Sequence, residues 1–454
     1  MSSKLTNNGI AAVALTAVLG ACSIGSPSAA PSRPRAATLS TSTECGTYSG
    51  KGCAPSTARV DLKPPKFSHP TRVTNPLFPI GKLRSAVLLG EVDGLPFRSE
   101  TTLLPGTGTV MLGGKAIKVL RSQYTAYLDH RLAEVAIDRY AQADDGSVWY
   151  LGEDVYDYED GTVGITEGTW LAGRDGPAAM IMPGDPKVGD VFRTENVPGI
   201  VFEEVAVKKV DQGVDGPMGR VDGAMIGEEL HLDGSRSDKV FAPGYGEFYT
   251  QDGRDIEALS LAVAADRDSG PEPAEQALLL TSTWGLVESA RVGDWDAVNS
   301  TVRRIERDWE AIKGQKLPSR VAADLGRSIE GLKAAVKARK PGRAAQASVY
   351  VAQNVLDLRL RYRSATYVDI ERFHLHAQQL RIFAAAKDGA GVAGEVAALE
   401  WIRDRVTAAL TPKEQSAIDR RLVQLRQASN KGSLASAADH AARLAALMRT
   451  LGTS

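Results

Sequence analysis

Two hydrophobic rhythms divide this chain. Up to about residue 265, apolar and aromatic residues alternate with polar ones over short runs, the period-two pattern of half-buried strands. Turn pairs punctuate these runs at Asp93-Gly94, Asp145-Gly146, Asp160-Gly161, Asp233-Gly234 and Asp252-Gly253. Asp-Gly supplies the positive φ angles that tight hairpins require. A series of such hairpins predicts an antiparallel meander over 63–265, curled into a sandwich or half-barrel so that one face is buried.

Beyond residue 273 the rhythm lengthens. Trp295, Val298, Val302, Ile305, Trp309 and Ile312 recur at alternating steps of three and four. So do Ile370, Phe373, Ala377, Leu380 and Ala384, and so do Leu434, Ala437, Ala441, Leu444, Met448 and Leu451. This spacing puts one apolar seam on each helix, with its tryptophans in the core. Turn signals around Gly293, Gly342, Gly389 and Gly432 recur at steps of 49, 47 and 43 residues. Each joins two segments of about 18 to 20 residues, so 274–454 reads as four αα-hairpins. Two four-helix bundles in series or one curved array would satisfy the pattern. Asp266 to Pro273, a polar Gly/Pro stretch, is the expected linker (266–273). The fold class is therefore α+β multidomain: an antiparallel β meander followed by an all-α helical-hairpin bundle or array.

The amino end is of a third kind. After Lys4, Ile10 to Ala21 is apolar or small apart from Thr16. Such a run is shorter than the about 20 residues a membrane-spanning helix needs, but it suits the apolar core of a secretory signal over 1–21. Its end, Leu19-Gly20-Ala21-Cys22, resembles the bacterial lipobox. The resemblance implies cleavage before Cys22, lipidation of the Cys22 thiol and anchoring on the extracytoplasmic face of the cell membrane. Each buried acyl CH₂ contributes about 0.8 kcal/mol, so two or three chains hold a protein firmly. Residues 22–62 are rich in Ser, Ala, Pro and Thr and read as a tether with little to bury. Within it, Cys45 and Cys53 stand close in sequence with glycines between them. Export would favour a disulfide between them over two free thiols.

Charge sharpens the division. The 454 residues balance to a net −1, yet from Pro271 onward 28 Lys and Arg face 20 Asp and Glu, while the remainder carries 26 against 35. In the acidic half, NPLFPI (75–80), YAQADDGSVWYLGEDVYDYEDG (140–161), GTWLAG (168–173), IMPGDPKVGDVF (181–192) and FAPGYGEF (241–248) follow in order. Together they resemble a widespread bacterial extracytoplasmic β-domain, common in lipoproteins, over roughly 66–262. That resemblance implies a shared fold and export, and it carries over no catalytic residue.

Candidate chemistry is sparse. In Glu153 to Gly161, strand alternation places Glu153, Asp157 and Glu159 on one face and Asp154, Tyr156 and Tyr158 on the other. Glu153 and Asp157 could contribute to a Ca²⁺ site, but the calcium-loop order D-x-[DN]-x-[DN]-G is missing, and a solvated hairpin with Tyr packed inward is expected instead. The same carboxylates could serve a glycosidase only if they faced a sugar cleft. Glu371-x-x-His374 has the spacing of a di-iron helix, but no second such pair occurs in the helical half. His374, His376 and His440 are expected to be partly exposed and hydrogen-bonded, and His130 and His231 to be structural. PGTGTVMLGG (105–114) lacks the glycine placement of a phosphate loop, and no P-loop, nucleophile-elbow or zinc-protease motif occurs. Arg359, Arg361 and Arg363 end a helix, where cations complement the dipole.

The expectation is thus a lipid-anchored envelope protein that binds or scaffolds, with no catalytic residue and no cofactor assigned. A ligand- or metal-binding role in the β-domain cavity or bundle core is the alternative, and an envelope-polymer hydrolase a more distant one. Expected partners are the bilayer through acylated Cys22 and anionic envelope polymers or another envelope protein, and not nucleic acid.

Overall fold

The computed structural model describes residues 52–197 and 199–451. Fifteen strands come first: β1 Ser85–Val92, β2 Leu95–Leu103, β3 Gly108–Leu112, β4 Lys115–Leu128, β5 Arg131–Gln142, β6 Val148–Glu159, β7 Thr162–Ile165, β8 Trp170–Leu171, β9 Ala179–Met182, β10 Val191–Val197, β11 Val201–Gly216, β12 Gly219–His231, β13 Arg236–Ala242, β14 Gly246–Asp252 and β15 Asp255–Val263. All pairings between these strands are antiparallel, in the order β10-β11-β12-β13-β14-β15-β1-β2-β4-β5-β6-β7, with β3 on β4 and both β8 and β9 on β6. The order runs through neighbours in sequence, as short hairpins dictate. Asp93 and Gly94, and likewise Asp160 and Gly161, take positive φ at their turns. Asp129 and His130 make an equivalent turn between β4 and β5, both at positive φ. β9, paired with β6, packs alongside β10, so the two ends of the order meet and the sheet curls into a barrel-like wall.

Eight helices follow among the described residues: α1 Ala274–Val292, α2 Trp295–Ile312, α3 Ser319–Lys337, α4 Pro341–Arg359, α5 Ala365–Ala385, α6 Gly389–Val406, α7 Pro412–Asn430 and α8 Leu434–Leu451. Side-chain caps start them where the sequence permits: Asp294, Ser364 and Asp388 each accept a backbone N–H, and Thr411 forms a capping box with Glu414. Helices α1 to α4 close one bundle, in which the Val298, Val302, Ile305, Ile312 stripe is buried. Helices α5 to α8 close a second, around Phe373, Ala377, Leu380, Ala441 and Leu444. Of the two arrangements the stripes allow, the structure takes two four-helix bundles. Two turns differ from their expected places: Gly342 and Gly389 lie inside the first turns of α4 and α6, and the chain reverses just before them, where Arg339 and Lys387 take positive φ. Pro341 at the start of α4 sets the first of these boundaries, since its missing N–H costs nothing there.

The two halves share a core. Val87, Leu89, Leu261 and Val263 on the outer face of the wall join the α1–α4 cluster. Tyr127, Leu132, Val135 and Ile137 join Ala397 and Trp401 of α6. The central strands are therefore buried on both faces, which is why their runs lose the clean alternation of a half-exposed sheet. The expected linker is a strap fixed at several points. Asp266 accepts from the Tyr245 hydroxyl and from the Ala262 N–H, both at 2.8 Å, and Arg361 grips Asp268 at 2.9 Å. Arg359 and Arg363 both bond Glu272. The arginines at the end of α4, with Arg359 and Arg361 buried, are thus committed to this strap rather than offered to polyanions.

Candidate functional site

Where the first bundle meets the wall, α3 and α4 turn small residues toward the sheet. Gly331, Ala334, Ala335, Ala338 and Ala347 line the space this leaves, opposite Leu89, Pro96, Phe97 and Ile256 of the wall. The result is a cleft of about 1110 Å³, just above the usual range for small-molecule sites. Polar side chains are interspersed among the apolar ones, the carboxylates of Glu91, Asp324 and Glu395 included. His376 of α5 lines the cleft, and its Nδ1 lies 2.7 Å from Glu395 Oε2 of α6, which fixes the ring. The same imidazole stacks on Tyr127 of β4, with ring centroids 5.8 Å apart. His130, at the β4–β5 turn, stacks on Tyr350 of α4 at 3.7 Å. Gln346 and Gln379 bond each other at 2.6 Å and 2.7 Å. Arg320, Arg327 and Arg343 stand along the helical side, Arg320 and Arg343 exposed and Arg327 paired with Asp324.

This geometry corrects the expectation for the α5 histidines. His374 and His376 are buried rather than partly exposed, at 3% and 6%. His374 meets the edge of Trp284, and His376 takes the carboxylate of Glu395. His440 has its Nδ1 buried with no hydrogen bond.

The 153–161 hairpin also differs from expectation. The alternation of faces holds, since Glu153, Val155 and Asp157 pair in turn with Asp138, Ala136 and Glu134. The direction of the faces is the reverse of the one expected. Glu153 points into the barrel and is fully buried, whereas Tyr156 and Tyr158 point outward onto α6. The Tyr158 hydroxyl accepts from Trp401 Nε1 at 2.8 Å. The second bundle covers the tyrosine face, so the carboxylate face is left to the interior. Asp157, partly buried, has its carboxyl pushed up to about 6 by burial and by Glu167.

The barrel interior holds further acids. Glu134 and Asp138 on β5, Glu195 on β10, Glu203 on β11, Glu229 on β12 and Glu257 on β15 are all buried. Asp138 accepts from the Tyr150 hydroxyl at 2.7 Å and from Ser122 at 3.0 Å, and burial pushes its carboxyl up to about 6. Glu153 and Glu195 face each other, and burial together with mutual repulsion raises the Glu153 carboxyl well above the ordinary range. For Glu195 burial again leads, and the carboxylate of Glu203 adds to it. Lys239 is the cation facing this belt, 3.2 Å from Glu229 and 2.9 Å from Glu247. Burial disfavours its charge, and those carboxylates outweigh burial and hold it protonated. These acids were missed in the sequence. Phase was a usable signal in GEELH (227–231), where Glu229 is buried and Glu228 and His231 are less so, but not in VFEEV (201–205), where every position is buried.

Among the described residues, one group brings three potential metal ligands together, and it contains neither Glu371, His374, Glu153 nor Asp157. Cys53 packs beside Phe202 and Leu230, whereas Cys22 and Cys45 lie outside the described residues. Among the described residues no helix is long and apolar enough to cross a membrane. No protein-family model matches this chain, and no curated protein is recognisably similar to it.

Proposed function

We propose that this chain is a lipid-anchored extracytoplasmic binding protein, held to the membrane through Cys22, whose ligand occupies the cleft between the β wall and the α1–α4 bundle. The observation that carries the reading is the cleft itself: about 1110 Å³, walled by Ala, Gly, Leu, Pro and Phe, with the buried imidazole of His376 inside, the exposed one of His130 on its lining and arginines along one side. The small cavity inside the barrel, about 60 Å³, is too small for a metabolite-sized ligand. An apolar trough with cationic and imidazole donors suits an elongated amphipathic molecule with an anionic head, a class the envelope supplies. Arginine matches carboxylate and phosphate geometry, and the apolar walls take the chain. The lipobox and the signal-like amino end support the location, and Cys45 with Cys53 would close a small loop at the end of the tether. This reading favours binding over scaffolding, since a scaffold needs no cavity of this size.

The test is a fluorescent fatty-acid or lysophospholipid displacement assay on the purified chain. Saturable binding with one site is expected. Ala334→Trp, which fills the cleft from an exposed helix face, should weaken it at least tenfold without altering the circular dichroism spectrum. Binding unchanged in Ala334→Trp would remove the cleft as the ligand site.

A further inference from the structure

In β12, Glu229 and His231 stand two residues apart and so share a face, and the β11–β12 register sets Glu203 directly opposite His231. One ligand atom from each of these three side chains lies within 4.8 Å of the other two. His231 Nδ1 is 3.4 Å from Glu203 Oε1. That matches the edge of a tetrahedron around a metal with bonds of about 2.0–2.2 Å, which is about 3.3–3.6 Å. The other ring nitrogen, Nε2, lies 2.9 Å from the Ser237 hydroxyl, the kind of outer hydrogen bond that fixes a ligating imidazole. The Thr194 hydroxyl sits between the two carboxylates, 3.2 Å from Glu203 and 3.5 Å from Glu229.

A second observation points to a ligand at the same place. Glu195, fully buried, feels the charges of both Glu203 and Glu229. Its Oε1 accepts from Trp170 at 2.9 Å, whereas its only other partner among the described residues is the neighbouring carboxyl of Glu153, so no cation and no backbone N–H reaches Oε2. Neither oxygen of Glu153 behind it has an N–H donor among the described residues. Lys239 answers one carboxylate and is itself divided between Glu229 and Glu247. Beyond the His231 imidazole that Glu203 faces, Glu203 and Glu195 have no fixed cation of their own among the described residues.

We propose that Glu203, Glu229 and His231 bind a divalent transition-metal ion such as Zn²⁺ or Mn²⁺, with Glu195 supplying a further carboxylate. Two carboxylate oxygens and an imidazole nitrogen favour such an ion over Ca²⁺ or Mg²⁺, which take oxygen ligands alone. With both carboxylates buried and the His231 ring mostly so, the ion is structural: it joins β10, β11 and β12, the strands that end the sheet order, and offsets the repulsion of the acid belt. This site is separate from the proposed ligand cleft, and either reading can fail alone.

The experiment is calorimetric titration of the chelator-stripped full chain with Zn²⁺. One saturable equivalent and a raised melting midpoint are expected. Glu203→Gln and His231→Gln should weaken binding at least tenfold and abolish the rise, and Lys239→Met, which removes the competing cation, should tighten it. Should the variants fail to fold, pulsed EPR of the Mn²⁺-loaded unaltered chain decides, with the modulation of one imidazole nitrogen expected. No saturable binding overturns the proposal. So does equal affinity in folded Glu203→Gln and His231→Gln, or a Mn²⁺ spectrum without an imidazole nitrogen.

Discussion

The Arg405 Nη1 of α6 donates to Glu100 Oε2 of β2 at 2.6 Å, across 305 residues of sequence, and both side chains are buried. They belong to a set that joins wall and helices. Arg98 bonds Asp357 at 2.6 Å, and Arg372 bonds both Asp357 at 2.9 Å and Asp369 at 3.1 Å. Three guanidiniums face three carboxylates, so the cluster is neutral without any proton uptake. Burial works against the Glu100 carboxylate, but Arg372, Arg98 and Arg405 outweigh it and hold its pKa well below the ordinary range. Removing one member leaves a buried charge without compensation, which costs about 3–5 kcal/mol. Glu100→Gln should therefore lower the unfolding free energy in urea by about that amount. Because the cluster spans the interface, the variant should also separate the transitions of the two halves, read as a gap between the near-UV and far-UV circular dichroism midpoints. A loss below about 1 kcal/mol would show that the remaining groups compensate the buried guanidiniums without Glu100.

The strap at 266–273 gives a second prediction. Arg361 holds the Asp266 carbonyl at 3.2 Å, the Asp268 carboxylate at 2.9 Å and the Lys316 carbonyl at 3.1 Å. One side chain thus ties the strap to the end of α4 and to the α2–α3 connection. Arg361→Ala removes all three bonds, at about 0.5–1.5 kcal/mol each. Limited proteolysis should then cut within 266–273 several-fold faster than in the unaltered chain. An unchanged rate would mean that Asp266 and Glu272 fix the strap by themselves.

The sequence carried the two rhythms, the Asp-Gly hairpins and the helical stripes, because each is set by local chemistry that repeats. Between two bundles and a curved array it left the choice open, since the short turns fit both and the decision falls to the packing of α1 on α4 and of α5 on α8. The acid belt was harder to see. Glu195, Glu203, Glu229 and Glu257 come from four strands, and the curl of the sheet, which no single strand encodes, brings them together. The inward turn of Glu153 depends on Trp401, more than 240 residues away, claiming Tyr156 and Tyr158. The cleft was invisible for the same reason: Ala334 and Ala347 read as ordinary helix formers until Leu89 and Phe97 stand opposite them.

The amino-terminal reading yields a third prediction. If Cys22 is acylated, mass spectrometry of the membrane-extracted protein should find a chain that lacks residues 1–21 and carries diacylglycerol. Cys22→Ala should release the chain from the membrane or leave its first 21 residues attached. Alkylation before reduction should leave Cys45 and Cys53 unlabelled, and reduction should expose both. An unmodified Cys22 in the unaltered protein would remove the anchor from the proposed function while leaving the cleft untouched.

The fourth prediction concerns pH and rests on Glu257. This carboxyl is buried, accepts from the Ser99 hydroxyl, and is pushed up to about 8 by burial and then by the Glu247 carboxylate, with Ser99 and Lys239 opposing. Glu134 also faces it. In the unfolded chain the same group titrates near 4.5. Between these values the folded state keeps a proton that the unfolded state gives up. Stability therefore falls as pH rises from about 4.5 to about 8, at up to about 1.4 kcal/mol per unit. Glu100 titrates on the other side of this window: its folded pKa lies below the unfolded value, so its contribution is lost only as pH falls below about 4.5. The unaltered chain should thus be less stable at pH 8 than at pH 5. Glu257→Gln carries an uncharged group of the same shape and should reduce that difference by about 2 kcal/mol or more, measured by urea unfolding at the two pH values. A pH difference of equal size in both proteins would mean that Glu257 titrates alike in the folded and unfolded states.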